Sequence, residues 1–164
     1  MKNSISLLIL AFLFLTGASY SQEWETFEAT EYNVKISLPP NWKTSTGSQD
    51  GIPYLEGISA DETMSLFIFV YKDASISTQE LLNNAVNDLG IALEGESAQE
   101  NLNGMDAWVA SATGVIEGAE IDMFIAAATY DENNYVAYVF TAAANAQKNV
   151  ATMNKIIDSL APLK

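Results

Sequence analysis

The chain has 164 residues, with 21 acidic residues against seven basic ones and a formal net charge of −14. A field of that sign repels phosphate backbones and anionic lipid, which argues against nucleic acid and membrane surfaces and leaves cations, cationic peptides and basic protein faces as partners. Cys, His and Arg are absent. Their absence removes disulfides, thiolate and imidazole chemistry, Cys- or His-built metal sites and any guanidinium clamp.

Residues 1–21 read as a cleaved signal peptide. Lys2 supplies the positive start, Ile5 to Leu15 is apolar but for Ser6, and Ser19-Tyr20-Ser21 fits the small-x-small pattern before a cut at Gln22. The apolar run is too short to cross a bilayer, which takes ~20 helical residues. Without Cys there is no site for an N-terminal lipid. The expected product is a single α+β domain over residues 22–164, exported to the periplasm or beyond the cell, soluble, and not a lipoprotein. All 21 acids and six of the seven lysines lie beyond residue 21, so processing makes the chain one unit more negative.

Trp24 to Ala29 is a first strand candidate. Tyr32, Val34, Ile36 and Leu38 alternate with polar residues, predicting a strand with one buried face that Pro39-Pro40 ends. Residues 43–51 carry no apolar side chain and read as a mobile surface loop. Ile52 to Ser59 is a weaker strand. Met64 to Tyr71 is apolar on both alternating faces, which predicts a central strand covered on both sides. Ser77-Thr78-Gln79-Glu80 forms a capping box for a helix carrying Leu81, Leu82, Ala85, Val86 and Leu89, and Gly90 ends it.

The second half predicts a meander. Glu96 to Leu102 is a polar strand near an edge, and Asn103-Gly104 turns the chain into Met105 to Ile116. Glu117-Gly118 leads into Ile121 to Tyr130, and Asp131-Glu132-Asn133-Asn134 into Tyr135 to Thr141. Asn145 is placed to cap a last helix with Val150, Met153, Ile157 and Leu160 on one stripe. Strands joined by tight turns form antiparallel sheets. The expected architecture is an α+β sandwich: an antiparallel sheet of about six to seven strands with two helices packed on it. Ala126, Ala127, Ala128 and Ala137 are small enough to let a helix approach.

The order of pieces resembles the PsbP-like domains, and within them the DcrB-like group of exported bacterial proteins. Leu38-Pro39-Pro40-Asn41-Trp42 is similar to their strand-proline-x-Trp opening. The helix opening Ser77-Thr78-Gln79-Glu80-Leu81, the hairpin at Gly104-Met105-Asp106-Ala107 and the ending Ile156-Ile157-Asp158-Ser159-Leu160 follow the same plan. The resemblance covers nearly all of residues 24–161. It implies a non-catalytic accessory or binding role, as in a photosystem II subunit, a Ran-binding import factor and secretion adaptors. The basic and histidine binding positions of such members have no match here, and none is carried over.

No catalytic residue, metal site or cofactor is expected. Asp61-Glu62, Glu94-Gly95-Glu96 and Asp131-Glu132-Asn133-Asn134 are acidic clusters, but none has calcium-loop spacing. The other function classes are a carboxylate-based hydrolase, which needs two acids across a cleft, and a cation-binding module. For a binding domain recognising a protein, peptide or small ligand, the expected rim is Trp42, Asp50 and Tyr54 around residues 43–51, with Trp108 as the next candidate. Such a Trp more often plugs the end of a sandwich core, and that is the first reading for Trp42.

Overall fold

A computed structural model of the chain describes residues 23–72 and 75–163. The leader expected over residues 1–21 lies outside the described residues. β1 (Glu25–Ala29) passes through a 3₁₀ turn at Thr30–Tyr32 into β2 (Val34–Leu38). β3 (Lys43–Gln49), β4 (Ile52–Ile58) and β5 (Met64–Tyr71) precede α1 (Thr78–Leu89). Then come β6 (Ala92–Leu93), β7 (Ala98–Leu102), β8 (Met105–Ile116), β9 (Ala119–Tyr130) and β10 (Asn133–Ala142). A 3₁₀ turn at Ala143–Asn145 opens α2 (Ala146–Asp158), and β11 (Ala161–Pro162) is the last described strand.

The main sheet has eight strands in the order β3-β4-β5-β10-β9-β8-β6, with β7 also paired to β8. β1, β2 and β11 form a second sheet of three strands. The α+β class and antiparallel pairing match the reading from sequence. The strand count is higher because residues 43–49 add an edge strand beside β4 and because β8 is long enough to pair with the short β6 as well as β7.

One face of the main sheet buries Leu66, Ile68 and Val70 in a cluster with Ile36 of β2 and Met153 and Ile156 of α2. Ile68 has no exposed surface, and burying such a side chain contributes ~1.5–3 kcal/mol. Ala126, Ala128 and Ala137 belong to this cluster, and their small size admits α2 close to β9 and β10. The other face carries α1, with Leu81 and Leu82 packed among Ile121, Met123, Ile125 and Ala127. Ser77 caps α1 by accepting a 3.2 Å hydrogen bond from the Glu80 N–H, and Gly90 ends it in the left-handed region at φ 63°.

Three local expectations are corrected. Residues 43–49 are not a loop but a strand paired along its whole length with β4. Its neighbour on one side is β4 and among the described residues no strand pairs with its other edge; it is polar on both faces and lacks the alternation that marks a strand. Asp50-Gly51 closes the hairpin with φ 52° and 82°, the two positive values of a type I′ turn. Asn145 makes no side-chain cap, because the 3₁₀ turn that ends on it leaves it with helical backbone angles. Val150 is 43% exposed, and Ile156 takes its place in the buried stripe.

Candidate functional site

Strand alternation sorts β5 into two chemically different faces. Leu66, Ile68 and Val70 go to the aliphatic core, while Phe67, Phe69 and Tyr71 go to the side of α1. Register then builds three cross-strand rows on that side: Tyr54, Phe69 and Val136; Glu56, Phe67 and Tyr138; Ile58, Ser65 and Phe140. The rings touch across strands. Tyr54 and Phe69 have centroids 5.6 Å apart, as do Phe67 and Tyr138, and Phe67 lies 6.4 Å from Phe140. Each such pair contributes ~0.5–1.5 kcal/mol beyond burial. The Tyr54 ring also lies over Gly47, where a Cβ would come within 2.6 Å of it.

α1 packs on β8 and β9 and reaches β10 at its margin. It leaves Tyr54, Phe67, Phe69 and Phe140 half-buried. The expectation that β5 is covered on both faces therefore holds fully on the aliphatic side and only in part on this one. The outcome is an aromatic face of three strands that is only partly covered, and partly exposed apolar surface of this kind is where interaction sites form.

Between this face and α1 runs a groove of about 230 Å³. Its floor is Phe69, Tyr71, Val136 and Tyr138; Gln49, Asp50 and Ile52 of the hairpin form one wall; Ala85, Asp88 and Leu89 of α1 form the other. Burial holds the Tyr138 hydroxyl up at about 12, with Tyr71 beside it adding to the effect. Burial also raises Tyr71, and the Asp88 carboxylate raises it further. Both phenols are therefore neutral hydrogen-bond donors at physiological pH.

Of the residues expected at a binding rim, Asp50 and Tyr54 are on this side of the sheet: Asp50 in the groove wall and Tyr54 on the open face. Trp42 is not with them. It packs with the aliphatic core on the opposite face, its Cε3 3.1 Å from where a Cβ on Gly57 would stand. Trp108 is half-buried in the cluster under α1, on β8, separated from β5 by β9 and β10. The ring set Phe67, Phe69, Tyr138 and Phe140 was missed from sequence. Its signal was the split of Met64 to Tyr71 into one aliphatic and one aromatic set.

The acidic clusters serve turns and rims. Asp61 Oδ1 accepts from the Ser59 and Thr63 hydroxyls, each at 2.8 Å, and from the Thr63 N–H at 3.3 Å. These bonds, with Lys148 3.3 Å from Oδ2, hold Asp61 well below the usual carboxylate range. A general acid needs the opposite shift. Asp131 and Glu132 form the two-residue turn between β9 and β10. Glu94 and Glu96 edge a second concavity, beside α2, floored by Val109, Phe124 and Ile157. Among the described residues no three acidic side chains come together to hold a metal ion.

No family model matches the chain, and no curated protein matches it. Solved structures do. The solution structure of the cyanobacterial PsbP (CyanoP) from Synechocystis sp. is similar over 90% of this chain and 97% of that one, with a TM-score of 0.65 at 12% identity. LpqN, involved in cell envelope biogenesis of Mycobacterium tuberculosis, matches over 87% and 86% with a TM-score of 0.54 at 10% identity. A crystal structure from Bacteroides thetaiotaomicron matches with a TM-score of 0.58 at 14% identity; 85% of this chain is covered, but only 48% of that one. On these likenesses, over sheets, helices and chain order together, the chain has the PsbP-like fold.

Proposed function

We propose that this chain is an exported, non-catalytic accessory domain that recognises a partner protein through the open aromatic face of β4, β5 and β10. The observation that carries the proposal is that face itself: four half-buried rings, Tyr54, Phe67, Phe69 and Phe140, held in register on a rigid sheet beside a groove. Aromatic side chains on rigid elements bury large area at small entropic cost, as binding hot spots do. The leader-like residues 1–21 support export. So does the shared fold with LpqN, an envelope-biogenesis protein. No described helix is long and apolar enough to cross a membrane.

The test is affinity capture from an envelope extract with the wild-type domain and with Phe67→Ser and Tyr54→Ser variants that remain folded at the assay temperature. A partner captured by the wild type and lost with both variants is the expected result. Capture that both variants retain places recognition elsewhere and overturns the assignment.

A further inference from the structure

We propose that the groove between α1 and the β3–β4 hairpin takes a basic side chain, lysine or arginine, of the partner protein, while the open aromatic face receives that partner's neighbouring apolar side chains. This rests on the reading of the aromatic face as the recognition surface and adds the charge of what it recognises.

Three features of the groove converge on a cation. The first is its floor, where the rings of Phe69, Tyr71 and Tyr138 lie; ring faces attract ammonium and guanidinium groups. The second is the walls. Asp50 stands on one and Asp88 on the other, and among the described residues no lysine lines the groove. Lys72, the next residue along from Tyr71, lines a different depression with Glu31, Asp131 and Glu132.

The third is the end of α1. The C-terminal turn of a helix carries the negative end of its dipole, and a cation belongs there. α1 has no basic residue in its last turn and has Asp88 instead. That placement disfavours the free helix, and a positive charge in the groove relieves it.

Size and charge narrow the occupant. About 230 Å³ is below the ~300–1,000 Å³ of sites that enclose drug-sized molecules. It suits one side chain delivered by a larger body, with the open face beside it for the rest of the contact. Among the described residues no three acidic side chains come together to hold a metal ion. A second copy of this chain brings its own charge of −14 to an acidic groove, and like charge opposes that pairing.

The test uses short peptides of alternating leucine and lysine, and the same peptides with acetyl-lysine, titrated into the protein. Binding is read by affinity and by NMR shifts of the Tyr71 and Tyr138 rings. The lysine peptide should shift both rings and bind at least about 5-fold more tightly than the acetylated one. Asp50→Asn and Asp88→Asn should each weaken it by about 2–5-fold. Asn-Gly is as good a type I′ turn as Asp-Gly, so Asp50→Asn keeps the hairpin. Asp88→Asn should melt at the same or a higher temperature while binding less well, which separates lost recognition from lost stability.

Equal affinity for the two peptides overturns the proposed charge selectivity but leaves the aromatic face standing, since the Phe67→Ser and Tyr54→Ser capture test does not depend on charge. Ring shifts confined to the concavity beside α2, or no binding of either peptide, also overturn the proposal.

Discussion

Trp42 and Asp61 show how single residues hold the framework of the site. Trp42 closes the aliphatic core beside Leu66 and fits because Gly57 has no side chain. Trp42→Ala removes a half-buried indole and should cost about 3 kcal/mol, the low end for large aromatic truncations; urea denaturation measures it. Asp61 acts through charge. Its pKa is depressed on folding, so its contribution is fully present above the ordinary value of 3.8 and is lost as pH falls through the lowered one. Asp61→Asn should therefore lower the urea midpoint at neutral pH and flatten its decline below about pH 4. Parallel midpoint-against-pH curves for the two proteins would contradict this account of the β4–β5 turn.

At the scale of elements, the β3–β4 hairpin and α1 are the two walls of the groove, and each has a local device that sets its position. The hairpin depends on Asp50-Gly51. A Cβ on Gly51 meets nothing within 4 Å, yet φ is 82°, so Gly51→Ala pays only in backbone strain, about 1–2 kcal/mol. That loss should appear as fraying of β3 in amide exchange, before the rest of the sheet. Helix α1 depends on its Ser77 cap. Ser77→Ala should cost about 1 kcal/mol, measured as a lower melting temperature, with the aromatic rows of β4, β5 and β10 intact. Asp-Gly is a strong hairpin signal that was present in the sequence. It was masked because an edge strand of Thr, Ser, Gly and Gln has no buried face to give it a period.

For the whole molecule, charge and export belong together. All the acids lie beyond the expected cleavage point, and mass spectrometry of exported material should find an N-terminus within about two residues of Gln22. Full-length protein in the membrane fraction would contradict the export reading. Exposed opposite charges are screened over roughly 8 Å at physiological salt. Partner capture through the acidic groove should therefore weaken as salt rises, whereas a purely apolar contact would hold.

The sequence alone determined what depends on local pattern. Alternation placed β2 and β5, the Ser77 box and Gly90 bounded α1, and paired positive-φ residues marked the turns at Asn103-Gly104 and Glu117-Gly118. Composition removed whole classes of chemistry before any fold was known. What only the tertiary structure decided is which apolar faces stay open. An alternating strand specifies two faces but not what packs on each. That depends on where α1 lands after a connection that local pattern does not aim. α1 settles over β8 and β9, and this single placement leaves the aromatic set of β5 only partly covered and brings Asp50 and Asp88 to one groove. The same long-range packing carries Trp42 to the opposite face from Tyr54, although the two are only a short hairpin apart in sequence.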